Sequence, residues 1–345
     1  MRRRLILGVL LCTALACGGP DGPTIITVGR PGPSTVPVPG SGSIAGVVVG
    51  NQDRLPIAGA RLTANGTVVV TNTNGEFQLS SLPAGNVIYD LSAPNRLSHV
   101  SQVNVADART GVTLDLIPSV EPFSLGFYRQ FARDGFDNGQ ALRAINPWTM
   151  APSFYIRTVT DDTNETVLPE IIDGIRRVIV NSVPELSAGR FTVPALEIGT
   201  EVRAPQNGWV VVSFFNTFPN SNAIGDATVG GNGGRMRLAY DAPRRQPITD
   251  CDVWVVAVAE HEIVHTMGFY HTGAPFGGGS DFDFNSPGCK GTGRRERTRY
   301  HAAVMYSRPP GNVDPDYDPL TFATARAGAR PEPGTVSCSA ADIRR

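Results

Sequence analysis

Three of the chain's five histidines fall within eleven residues, as His261, His265 and His271, and Glu262 follows the first of them. Imidazole is the commonest protein ligand for transition metals. On an α-helix His261 and His265 stand one turn apart on one face, so both rings reach one ion. Gly268 comes three residues later and can end the helix with a positive φ. The chain then reverses, and His271 supplies a third nitrogen. Three His ligands leave a fourth position open for water, the mark of a catalytic zinc site. Glu262 is then placed beside that water rather than on the metal. Zinc brings the water pKa toward about 7, and Glu262 accepts its proton during attack on a peptide carbonyl. The same carboxyl passes the proton to the leaving amine. His₃ ligation with an open position favours zinc over other ions.

His-Glu-x-x-His alone arises by chance at about the 1% level in a chain this long. With Gly and His at fixed offsets, that falls to on the order of one in 10⁵. The competing readings are a His-rich helix that binds nothing and a closed structural zinc site.

Other elements must hold these groups. Residues 253–260 are apolar enough for a buried helix, but their β-branched members leave local propensity ambiguous. The ligand spacing favours the helix. Upstream, residues 153–160 read as a strand. Leu168, Ile171, Ile172, Ile175, Ile179 and Val183 follow helical spacing, with Pro184 at the end. Residues 195–198, 209–215 and 235–240 read as strands. The glycine cluster 230–234 is a loop, without the Lys and Ser/Thr of a phosphate-binding loop. Ser339 could cap a C-terminal helix of about two turns.

The segment from His261 to His271 resembles the metzincin zinc-endopeptidase signature, His-Glu-x-x-His-x-x-Gly-x-x-His. That resemblance implies a zincin catalytic domain, a twisted mixed sheet with an active-site helix. It also implies a downstream Met-turn, for which Met305 is the match, forming an apolar floor under the imidazoles. Thr272 and the pair Met305-Tyr306 are most similar to the matrixin branch. Ser307 stands where other branches carry a metal-binding Tyr, so Tyr306 is expected to pack or to shape the cleft. In such proteases an edge strand pairs with extended substrate, and residues 235–240 are the candidate.

The N-terminal part reads differently. Met1-Arg2-Arg3-Arg4, a short apolar run and Ala14-Leu15-Ala16-Cys17 form an export signal. Cleavage before Cys17 resembles a bacterial lipoprotein signal, with ordinary secretion as the alternative. The expected location is therefore extracytoplasmic, lipid-anchored through Cys17 to a bacterial outer membrane or secreted. Residues 18–42 are a Gly/Pro/Ser/Thr-rich tether. Residues 43–118 alternate short strands with turn residues and read as a β-sandwich. Their Pro56-x-x-Gly59-Ala60, Thr73-Asn74-Gly75-Glu76-Phe77 and Leu82-Pro83-Ala84-Gly85 runs resemble the carboxypeptidase regulatory-like family. This implies a binding, spacing or stabilising module without catalytic residues. His99 reads as an ordinary surface or edge residue. Residues 119–147 are a weakly patterned connector, and 148–345 the catalytic domain. The whole is an α+β multidomain chain.

Composition agrees. Gly and Pro make up about 19% of the chain, against roughly 12% on average, which favours a turn-rich, largely β protein. A net charge of −1 excludes a strongly basic nucleic-acid binder. Cys251, Cys289 and Cys338 permit one disulfide in an oxidising compartment, with the pairing open. The oxygens alternating through Asp281–Asn285 and Asp314–Asp318 offer calcium ligands or a polar loop. His301 reads as structural or exposed. The expected partner is a protein or peptide substrate. Two other functions compete: a surface adhesion protein with a vestigial metal site, and a metal-dependent hydrolase of non-peptide amides.

Overall fold

The protein is described by a computed structural model covering residues 42–105, 108–139, 141–220, 223–246, 254–276, 296–320 and 335–338. The export signal, most of the tether, Cys251, Cys289, residues 281–285 and the expected C-terminal helix lie outside the described residues.

Seven strands form two facing sheets: β1 (Gly42–Gly50), β2 (Arg61–Ala64), β3 (Thr67–Val70), β4 (Glu76–Leu82), β5 (Gly85–Ser92), β6 (His99–Val105) and β7 (Arg109–Leu116). One sheet has the order β4-β1-β7, with β1 antiparallel to β4 and parallel to β7. The other is an antiparallel β3-β2-β5-β6 sheet. Period-2 patterning explains the sandwich: Phe77 and Leu79 of β4, and Val87, Tyr89 and Leu91 of β5, turn inward while their neighbours stay exposed. With Ile44, Val48, Leu62 and Leu116 they make a core of their own.

The larger part is built on a six-stranded sheet. Its strands are β8 (Ser153–Arg157), β9 (Leu196–Gly199), β10 (Trp209–Phe215), β11 (Gly225–Thr228), β12 (Gly234–Ala239) and β13 (Thr335–Cys338), in the order β13-β11-β12-β10-β8-β9. β8, β9, β10 and β12 are parallel, and β11 runs antiparallel between β12 and β13. Val210, Val212 and Phe214 of β10 meet Met236 and Leu238 of β12 in the core. Among the described residues four α-helices complete this body: α1 (Leu125–Arg133), α2 (Pro169–Leu186), α3 (Trp254–Thr266) and α4 (Glu296–Tyr306). The molecule is thus a mixed α+β chain with several sheets.

Helix α2 follows its sequence pattern, with Pro169 in the first turn and Ile171, Ile172, Ile175, Ile179 and Val183 buried. It does not stop before Pro184, which lies inside its last turn. The stretch expected to be a connector contributes α1, whose Phe127, Tyr128 and Phe131 join the same core as the sheet. Ser124 caps α1, its side chain accepting from the Phe127 N–H. The expected edge strand is also corrected. Residues 234–239 are β12, which has β11 on one side and β10 on the other. Alternation of side chains reports burial and not strand order, so the position of β12 was not visible in it.

Candidate metal centre

Helix α3 is buried nearly all round, with Val255, Val256, Ala257, Val258 and Ala259 packed into the core. Tertiary packing overrides the poor helix propensity of its valines. It places His261 and His265 one turn apart, both buried. The helix ends in a Schellman motif: the Phe269 N–H donates to Val264 O, and the Gly268 N–H to His265 O. Gly268 takes φ of +100°, a conformation that L side chains rarely adopt. The chain turns back there, and His271 faces the first two rings.

The three Nε2 atoms converge. His261 to His265 is 3.1 Å, His261 to His271 is 3.2 Å, and His265 to His271 is 3.2 Å. Nitrogens about 2.05 Å from one tetrahedral ion stand about 3.3 Å apart. The outer nitrogens set the tautomers. His265 Nδ1 lies 2.8 Å from Phe269 O, and His271 Nδ1 lies 2.8 Å from Asp137 Oδ2. Each Nδ1 therefore carries the proton, and each Nε2 turns a lone pair inward. Two lone pairs cannot hydrogen-bond to each other, so the short separations of these rings fit a shared cation. Burial first, and the neighbouring imidazoles second, hold His261 well below the usual imidazole pKa; burial, then His271, does the same for His265. These rings are neutral at pH 7, the state that binds metal. The donor set fits one zinc ion.

Glu262 is fully buried on the same helix. Its side chain lies against Gly225 of β11, where an added Cβ would stand 2.6 Å from Glu262 Oε1. The backbone of β11 is thereby brought up to the carboxylate.

The carbonyls at the end of α3 are satisfied from three distant segments. Trp148 Nε1 donates to Thr266 O at 2.7 Å, the Gly230 N–H to His265 O at 3.1 Å, and the Tyr306 hydroxyl to Met267 O at 2.9 Å. Tyr306 thus packs behind the site. Met305 is buried in the last turn of α4, a helix rather than an isolated turn, and its Cε would be 3.3 Å from a Cβ on Gly268. Helix α1 supports the His271 loop. Phe131 stacks on Phe269 at 4.3 Å between ring centroids, and its carbonyl accepts from the Tyr270 N–H. Asp137, just beyond α1, has no sequence marker. It is 134 residues from His271, and only the fold brings them together.

A second group of potential ligands, His99, Asp316 and Asp318, lies between the sandwich and the larger body. Arg308 holds Asp316 through two hydrogen bonds, at 2.7 and 2.8 Å, and reaches Asp115 of β7 at 2.6 Å. Asn312 Nδ2 donates to both Asp316 and Asp318. His99 faces an oxygen acceptor from each ring nitrogen, Asp115 O and Asp318 Oδ2. Burial raises the Asp318 pKa, but hydrogen bonds from His99, Asn312 and Ser101 outweigh it and hold the carboxyl below its usual range. Asp314 pairs with Arg129. The oxygens that the 314–318 pattern offered to calcium are thus directed at Arg129, Arg308, His99 and Asn312. His301 is structural: Nε2 accepts from the Ser124 N–H, Nδ1 donates to Arg297 O, and the ring stacks on Phe123.

No family model and no curated protein matches the chain. Among solved structures, the chain is similar over 25% of its length to 65% of a chain in a type II cohesin–X-dockerin complex from Acetivibrio cellulolyticus, at 20% identity and a TM-score of 0.20. It is similar over 65% of its length to 37% of a GH20 exo-β-N-acetylglucosaminidase from Vibrio harveyi, at 9% identity and a TM-score of 0.22. The chain spans less than two thirds of either, and at these TM-scores neither likeness bears on the fold or the site.

Proposed function

We propose that this chain is a zinc-dependent endopeptidase of metzincin type, exported from a bacterial cytoplasm and anchored through a lipid on Cys17. The observation that carries the reading is the convergence of the three Nε2 atoms, with a fully buried glutamate next in sequence to the first of them on the same helix. A structural site has no use for that carboxylate. Zinc bound by His261, His265 and His271 supplies Lewis acidity that acidifies a water and polarises a carbonyl. Glu262 accepts the water proton on a carboxylate oxygen as the water attacks the peptide carbon, then delivers it to the amine nitrogen as the C–N bond breaks. Phe269 O and Asp137 hold the rings of His265 and His271 in their binding tautomer. Gly268 and the ties from Trp148, Gly230 and Tyr306 keep the third ligand's loop in place. The matching His-Glu-x-x-His-x-x-Gly-x-x-His spacing supports the family assignment. Among the described residues no helix is long and apolar enough to cross a membrane.

The test is zinc analysis of the chain from Gly18 onward, with wild type and Glu262→Gln incubated with a random peptide library. One zinc per chain in both, with cleavage by wild type alone, is the expected result. Zinc without cleavage in either would move the assignment to a binding protein. A folded chain without zinc would remove the site.

A further inference from the structure

We propose that the protein's own C-terminal strand occupies the backbone edge where an extended substrate would pair, so that residues 335–338 act as a built-in inhibitor. This rests on the endopeptidase reading. β11 is the strand against Glu262, since its Gly225 leaves no room for a Cβ beside the carboxylate. One edge of β11 is taken by β12. The other edge carries β13 in antiparallel register, with Gly225 opposite Cys338, Asp226 opposite Ser337, Ala227 opposite Val336 and Thr228 opposite Thr335. The register puts Cys338 level with the residue that touches Glu262.

An extended peptide gains affinity by adding to a sheet edge through main-chain hydrogen bonds. One edge makes that ladder with one strand at a time, so β13 and a substrate on β11 exclude each other. The other end of the sheet, at β9, does not substitute, because β8, β10 and β12 separate it from β11. Among the described residues the ladder has four pairs, at the low end of strand lengths, which a longer peptide can displace.

Val336→Pro and Ser337→Pro in the full chain test the idea. Successive residues of an antiparallel strand direct their N–H groups to opposite sides. One of the two prolines therefore removes a bond to β11, and the other removes none. Binding is read in a Glu262→Gln background, so that it does not depend on hydrolysis. The probe is a fluorescent synthetic peptide copying residues 331–342, and zinc content serves as the folding control. The expected result is at least tenfold tighter peptide binding in one proline variant, a smaller change in the other, and unchanged zinc. With Glu262 restored, the same variant should cleave the peptide library at least tenfold faster than wild type. Equal binding by both zinc-loaded proline variants and their parent overturns the inhibitor. Tighter binding without any cleavage overturns the endopeptidase reading and leaves the occupied edge standing. If one proline prevents folding, hydrogen exchange in the Glu262→Gln chain decides. Faster exchange at 335–338 on adding the peptide supports displacement, and unchanged exchange rejects it.

Discussion

At the helical site, His261, His265 and His271 hold three Nε2 atoms 3.1–3.2 Å apart. At the junction with the sandwich, His99, Asp316 and Asp318 also bring ligand atoms within 4.8 Å of one another. The residue types are equally suited to a cation, and both groups are largely buried. The difference lies in what stands behind each ligand. Behind the triad are acceptors, Phe269 O and Asp137, which keep protons on the outer nitrogens and lone pairs inside. Around the junction the partners are already in place: Arg308, Asn312 and the ring of His99. A guanidinium bound bidentately to Asp316 fills the role a metal would have. Proximity of ligand atoms therefore does not tell the two groups apart, and what stands behind each ligand does.

The sharpest way to break this contrast is His265→Ala. It should reduce bound zinc from one per chain to none and take hydrolysis to background, whereas His99→Ala should leave zinc content unchanged by metal analysis. If His99→Ala lost metal, the two clusters would not differ as described. Next in size, Arg308→Leu leaves Asp316 without its cation and removes the nearer of the two that face Asp115. It should cost about 3–5 kcal/mol in denaturant unfolding while sparing zinc binding in the folded fraction.

Acid separates structure from metal. Burial lowers the His301 pKa to about 4, from an unfolded value near 6.5. Between those values the unfolded chain binds the extra proton, so stability is full above pH 6.5 and declines as pH falls toward 4. His301 alone should account for a loss on the order of 3 kcal/mol across that window, to which His261 and His265 add in metal-free protein, so His301→Gln should reduce the slope without abolishing it. The smallest expected effect is at Asp137. Replacing it with Ala should weaken zinc about 10–100-fold in a chelator competition. Asn, which retains an acceptor oxygen, should weaken it less.

How much of this was legible in the sequence depends on the distance between the residues concerned. The triad, Glu262 and the turn at Gly268 lie within eleven consecutive residues; helical periodicity orders His261, Glu262 and His265, and the turn at Gly268 returns His271. The strands of the sandwich were readable because alternation maps directly onto two faces, and β10 because a short continuous apolar run marks a strand buried on both. Asp137 was not readable, since an acid in an aromatic-rich stretch carries no sign of a partner 134 residues away. Nor was the place of β12: its apolar alternation is the same at an edge and in the interior. α4 escaped because its Arg- and Tyr-containing sequence shows no strong helical stripe. His99 looked like an edge residue because its partner Asp318 comes more than 200 residues later.

The three ties on the end of α3 bear on when the histidine site is assembled. Trp148, Gly230 and Tyr306 come from positions spread over more than 150 residues, and each closes on one turn of backbone. Contacts of such sequence separation form slowly, because long loops must close before they are rewarded. A ribosome that has just finished the His-Glu motif has not yet made Tyr306. The nascent chain thus carries the ligands without the geometry, and the proposed peptide-cutting centre would be withheld until synthesis has passed it.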